Sequence, residues 1–176
     1  MTPSPIVNSK SSFVNPMRVL GIDPGLHVCG YACLDFEGGT EKIVEAGIVR
    51  TQRDLPIERR LHQIAVDIET LLERFKPNVM AVETLYSHYA HPRTAILMGH
   101  ARGVILQKSA AAGIEVKSYS ATRIKKSLTG NGHASKEQVQ RTVQTVMALP
   151  ELPRPADVAD AMAVALCCAN ALARAI

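Results

Sequence analysis

The sequence predicts an α/β fold built on one mixed five-stranded sheet: an antiparallel three-strand meander, then two parallel strands, flanked by helices. Three observations carry this. Three β-like stretches follow one another within the first third of the chain, separated only by short turns. Neighbours that close pair antiparallel, because a parallel partner needs a long crossover. From Pro56 the apolar period becomes helical, and short apolar runs then alternate with helical patterns, as in the parallel part of an α/β sheet. No internal repeat is visible.

The first strand lies in Arg18-Val19-Leu20-Gly21-Ile22-Asp23-Pro24-Gly25-Leu26, the stretch around which the rest is arranged. Val19, Leu20 and Ile22 read as a central strand, and Pro24-Gly25 as the turn that ends it. Residues 30–35 make a second strand, Glu37-Gly38-Gly39-Thr40 a hairpin turn, and residues 42–51 a third strand. Ile57, Leu61, Ile64, Ile68, Leu71, Leu72 and Phe75 keep helical spacing, with Pro56 in the first turn and Lys76-Pro77-Asn78 as the stop. Val79-Met80-Ala81-Val82 is a short buried-type strand that delivers Glu83 at its tip. Residues 84–93 read as irregular, and residues 94–112 as an Ala-rich helix closed by Gly113. Residues 114–119 alternate as a fifth strand. Ser120 or Thr122 caps a short helix bearing Lys125 and Lys126, and a flexible loop spans residues 130–133. Residues 135–149 form a helix, Pro150, Pro153 and Pro155 break the chain, and residues 156–176 form the last helix.

With 176 residues the chain suits one domain with a sizeable core. A net charge of +4 is a mild basic bias that suits a polyanionic partner without establishing one. No run reads as long and apolar enough to span a bilayer. Residues 1–16, rich in Ser, Pro and Asn, lack the apolar centre of a secretory signal and read as a disordered leader. Cys29, Cys33, Cys167 and Cys168 form no zinc-like pairs and read as buried, reduced thiols of a cytoplasmic protein.

Asp23, at the end of a core strand, is either a metal ligand or a cap on the Pro24-Gly25 turn; its own stretch does not separate the two. Glu83 ends a second core strand. Asp157 and Asp160, three residues apart, project from one face of the last helix, with Ala159, Ala163 and Leu166 elsewhere on it for packing on the sheet. Two early acids also complement a helix macrodipole, which is the plainer account of that pair taken alone. Together, however, the four carboxylates suit a divalent cation, and clustered without one they repel and raise one another's pKa. Metal-assisted cleavage of a nucleic-acid phosphodiester is the chemistry such a set points to.

The sequence resembles the RuvC family of Holliday junction resolvases, within the ribonuclease-H-like superfamily. The motifs that carry the resemblance are Leu20-Gly21-Ile22-Asp23-Pro24-Gly25 with Gly30-Tyr31, Val82-Glu83, Gly99-His100-Ala101-Arg102-Gly103 and Ile124-Lys125-Lys126. Gly130-Asn131-Gly132-His133-Ala134-Ser135-Lys136 and Ala156-Asp157-Val158-Ala159-Asp160-Ala161 complete the set. They run in family order from about Met17 to the C-terminus, which makes residues 17–176 a ribonuclease-H-like nuclease domain.

The resemblance implies a Mg²⁺-dependent endodeoxyribonuclease that resolves four-way junctions in recombination and repair. It would use two ions per subunit, with Mn²⁺ as a substitute, and an activated water that leaves 5′-phosphates. Asp23, Glu83, Asp157 and Asp160 would be the catalytic acids and metal ligands. Lys125 and Lys136 match basic positions near the junction backbone or the scissile phosphate, whereas Lys126 reads as an ordinary solvated lysine. An aromatic shortly after the glutamate would stack on an unpaired base. Tyr86 has the expected offset and Tyr89 is its rival, with Arg93 a further DNA contact. The segment from Thr84 to Pro92 is about one residue longer than the family pattern, which leaves the choice of Tyr open. His88, His91 and His100 read as surface or phosphate contacts rather than a transition-metal site.

A homodimer and a branch-migration motor of RuvA–RuvB type are the implied partners, beside junction DNA. The helix over residues 94–112 serves either as the dimer face or as simple packing on the sheet. An actin-like or sugar-kinase-like ATP-binding protein is excluded, because it needs two such domains and no Walker-type loop is present.

Overall fold

The computed structural model describes residues 16–85 and 92–174. Strands β1 (Met17–Asp23), β2 (Val28–Glu37) and β3 (Thr40–Arg50) come first, then helix α1 (Ile57–Phe75) and strand β4 (Val79–Glu83). Helix α2 (Pro92–Ala111), strand β5 (Glu115–Tyr119) and helices α3 (Ala121–Thr129), α4 (Lys136–Val146) and α5 (Ala156–Ala173) follow.

The five strands lie in the order β3-β2-β1-β4-β5. β1 pairs antiparallel with β2, from Met17↔Phe36 to Asp23↔Gly30, and β2 pairs antiparallel with β3 through a register shift at Cys33/Leu34. On its other side β1 pairs parallel with β4, and β4 pairs parallel with β5. The predicted meander and the two parallel strands are therefore present, with β1 at the centre.

Alternation along the strands divides the core in two. Leu20, Ile22, Cys33, Met80 and Val82 pack with Ile64, Ile68 and Phe75 of α1 and with Ala101 and Ile105 of α2. Val19, Ala32, Leu34, Val79 and Ala81 pack on the opposite face with α5 and with residues of α3 and α4.

Helix ends follow local chemistry. Ser120 caps α3 by accepting from the Arg123 N–H at 3.3 Å. Ser135 and Gln138 form a reciprocal capping box at the start of α4. Three expected boundaries are corrected. α4 stops at Val146 rather than running to residue 149, because Ala148 adopts φ 48° and turns the chain ahead of Pro150. α2 already includes Pro92 and Arg93, so Arg93 is helical and exposed rather than in an irregular stretch. α5 ends at Ala173.

One further expectation fails. α5 does have the length and mean hydropathy, 1.5, to cross a membrane. Its residues from Val158 to Ala169 are buried almost without break, Asp160 excepted, and it packs across one face of the sheet.

Candidate active site

The register of the two central parallel strands builds the site. Ile22 is opposite Val82, so Asp23 and Glu83 take the next matched positions at one end of the sheet. Asp23 shares its parity with Val19 and Gly21, and Glu83 with Val79 and Ala81, so both carboxylates face the α5 layer.

α5 approaches that face unusually closely. A Cβ on Gly21 would lie 2.5 Å from the Ala161 carbonyl oxygen, and one on Gly30 would collide with the Asp157 carbonyl oxygen. Gly30 is also the ladder partner of Asp23. Only glycine lets the helix backbone rest directly on the strands here, and that contact sets the first turn of α5 beside Asp23. Neither glycine was assigned this role from sequence, although both fall within the quoted motifs.

The electrostatics follow from that packing. Burial pushes the Asp23 carboxyl up to about 7, and the charges of Glu83, Asp160 and Asp157 push the same way, with Lys136 opposing them. Glu83 is also raised, first by burial and then by Asp160, against the pull of Lys125 and Lys136. Lys136 Nζ lies 2.7 Å from Asp160 Oδ2, and this hydrogen bond, with the nearby charges of Asp160, Asp23 and Asp157, holds the ammonium above its ordinary value. Glu83, Lys125, Lys136 and Asp160 line one cleft of about 200 Å³, floored by Ile124, Val139 and Ala163.

Each predicted residue can now be placed. Asp23, Glu83, Asp157 and Asp160 come together, and Lys125 and Lys136 stand with them. Arg93 is in the first turn of α2, and Tyr86 and Tyr89 lie outside the described residues, as do His88 and His91. His100 is exposed on α2, which packs on the opposite face of the sheet from the acids.

Sequence reading assigned nothing to Arg102, quoted only as part of a motif. Its Nε donates to the Glu83 carbonyl oxygen at 3.2 Å and its Nη2 to Ser118 Oγ at 2.8 Å, tying the ends of β4 and β5 together. The Thr84 N–H donates to the Tyr119 carbonyl oxygen at 2.8 Å and fixes the chain just beyond Glu83.

Among the described residues no three Asp, Glu, His or Cys side chains stand close enough to ligate one ion as they are placed; Lys136 meets Asp160 instead. The donor chemistry nonetheless fits a hard divalent cation. All four groups are carboxylates, which suit such ions, and burial followed by three acidic neighbours raises the pKa of Asp23, a strain on the charged form that a cation would relieve.

The family model for crossover junction endodeoxyribonuclease RuvC matches residues 19–168. The crossover junction endodeoxyribonuclease RuvC of Rhodopirellula baltica is 48% identical over 149 residues, covering 85% of this chain and 84% of that protein. The Thermus thermophilus RuvC structure superimposes with a TM-score of 0.83 at 33% identity, covering 90% of this chain and 97% of that one. Thermus thermophilus RuvC in complex with a Holliday junction substrate superimposes with a TM-score of 0.85 at 32% identity, covering 90% and 96%. With its four acids at one end of a ribonuclease-H-like sheet, the chain belongs to the RuvC family of crossover junction endodeoxyribonucleases.

Proposed function

We propose that the protein is a structure-specific endodeoxyribonuclease that resolves four-way DNA junctions by paired, symmetric nicks during recombination and repair. One observation carries this: two acids at matched ends of adjacent parallel strands meet two more from the first two turns of α5, beside two lysines.

Asp23, Glu83, Asp157 and Asp160 would hold Mg²⁺, two ions per subunit, with Mn²⁺ able to substitute. The chemistry these ions supply is polarisation of a phosphoryl oxygen and a lowered pKa for water, giving 5′-phosphate products. The charge balance argues for them. Four carboxylates against two ammonium groups leave about −2 when all are ionised, which repels a phosphodiester, whereas two divalent cations bring the total to about +2. Lys136, held among three of the acids, is placed to meet a phosphate oxygen, and Lys125 presents a second ammonium across the same cleft. Arg102 orients Glu83 through its backbone. Tyr86 or Tyr89, six residues or fewer beyond Glu83, would stack on an unpaired base at the crossover, and Arg93 would contact the backbone nearby.

The working unit is a homodimer, whose two-fold axis suits a junction of approximate two-fold symmetry. α2 is the proposed face: Ile96 is 60% exposed, and Gly99 and Gly103 border open space, while Ala101 and Ile105 are buried against the sheet. Residues 17–176 form the nuclease domain. A branch-migration motor of RuvA–RuvB type is the proposed partner, and four buried free thiols agree with a cytoplasmic location.

The test is a nicking assay with Mg²⁺ on a synthetic four-way junction, a linear duplex and an RNA–DNA hybrid, with Asp23→Asn alongside. Paired cuts confined to the junction and lost in the variant are expected. Cutting of the hybrid would move the protein elsewhere in the superfamily. Junction binding without cleavage under any divalent metal would refute the catalytic reading.

A further inference from the structure

A second cleft, of about 380 Å³, opens between α3 and the C-terminal half of α5, beside the acids but separate from them. Arg123, Lys126 and Arg174 line it together with Ser127, Gly130 and Asn170. All three cations are exposed, and among the described residues none is paired with a carboxylate.

Their convergence has independent support. Arg123 and Arg174 both lie near enough to the buried Cys167 thiol to oppose the burial that raises its pKa. Arg123 is steadied over the Tyr119 ring, 5.0 Å from its centroid, and Asn170 Nδ2 donates to Ser127 Oγ at 3.3 Å across the cleft. α3 thus divides its basic residues, Lys125 toward the acids and Lys126 toward this second cleft.

A plainer use for such cations is to complement helix C-termini, and both α3 and α5 end here, at Thr129 and Ala173. Each end carries about −0.5 of a charge, so three cations exceed what the two ends need by about +2. That excess is held in a concave site with serine and asparagine donors, the chemistry that suits phosphate oxygens.

We infer that the Arg123/Lys126/Arg174 cleft is a second phosphate-binding site, which grips the phosphodiester backbone of a junction arm away from the cut. The inference rests on the resolvase reading above. Asp160 and Asn170 share one helix and are about 15 Å apart along its axis at 1.5 Å per residue. With the junction arm running along α5, an axial rise of about 3.4 Å per nucleotide would put the gripped phosphates about four or five nucleotides from the scissile one.

The experiment compares the full-length protein with Lys126→Gln/Arg174→Gln, both exposed positions whose loss leaves the core intact. Lys42→Gln, exposed on β3 at the sheet end away from Asp23, controls for loss of a positive charge elsewhere on the surface. Junction affinity is measured by fluorescence anisotropy in EDTA across a salt series. It is then repeated with single uncharged methylphosphonate linkages placed along each strand. The double variant is expected to bind about fivefold or more weakly, with a salt slope shallower by about two, one per lost phosphate contact. Neutral linkages about four or five nucleotides from the cut weaken the wild type but not the double variant, and Lys42→Gln follows the wild type. A wild type that prefers junctions while the double variant keeps its affinity, slope and interference pattern overturns the inference alone. A wild type with no preference for junctions overturns the resolvase reading and the inference with it.

Discussion

Asp23→Asn should stabilise the metal-free protein while abolishing cleavage. The folded-state pKa of Asp23, about 7, lies above its ordinary 3.8, so the native state holds this proton more tightly than the unfolded chain does. Stability linked to Asp23 is then fully present below about pH 4 and is lost as pH rises toward 7. At 1.36 kcal/mol per pH unit, the whole displacement is worth about 4 kcal/mol at pH 8. The amide keeps part of the burial cost, and the neighbouring acids share the remainder, so a gain of about 1–2 kcal/mol is expected. For a domain of this size that raises Tm by about 2–8 °C. The assay is scanning calorimetry in EDTA on both proteins from pH 4 to 8, then again with Mg²⁺. The gain should be full at pH 8 and almost absent at pH 4, and Mg²⁺ should stabilise the wild type more than the variant. An unchanged or lowered Tm at pH 8, or an equal gain at pH 4, would refute the argument that acidic neighbours crowd a buried carboxylate.

Lys136→Ala should cost under about 1 kcal/mol, because its pair with Asp160 is largely solvated on the lysine side, yet slow junction cleavage on the order of 100-fold. Urea melts and single-turnover rates separate the two effects. Gly30→Ala should destabilise the fold by about 3 kcal/mol, read from the urea midpoint, since its methyl group meets the α5 backbone rather than a movable side chain. Arg102→Ala should lower the single-turnover rate on the order of 10–100-fold by loosening Glu83, while junction affinity measured in EDTA stays near wild type.

The strands that carry Asp23 and Glu83 were legible in the sequence because each is a short apolar run ending in an acid and followed by a change of pattern. Their adjacency followed from the helix between them, since a long crossover permits the parallel pairing seen between β1 and β4. The depth of α5 was not legible. Asp157 and Asp160 break its apolar run at the start, which disguised a helix otherwise apolar enough to pass for a membrane span. Gly21 and Gly30 read as ordinary strand glycines, because the backbone they accommodate lies more than a hundred residues away in sequence. Arg102 escaped notice for a similar reason: it acts on the Glu83 main chain, and no side-chain pairing pattern records that. The early end of α4 depends on Ala148 in a left-handed conformation, which its residue type disfavours and only the surrounding packing selects.

The Asp157–Asp160 pair bears on the two accounts that the sequence left open. Had these acids only complemented the α5 macrodipole, solvent-facing positions would have served, at a gain of tenths of a kcal/mol. Instead Gly21 and Gly30 bring the N-terminal half of α5 down onto β1 and β2, and both acids raise the pKa of Asp23, an interaction that opposes folding at neutral pH. Glu83 adds to the same repulsion from the neighbouring strand. Lys136 offsets part of it and is itself mostly exposed, so it does not cancel the charge of four acids. A packing arrangement that concentrates like charge on a partly buried carboxylate opposes stability, and the proposed cation would relieve it. The acid cluster therefore fits the proposed cation site better than it fits a set of helix and turn caps.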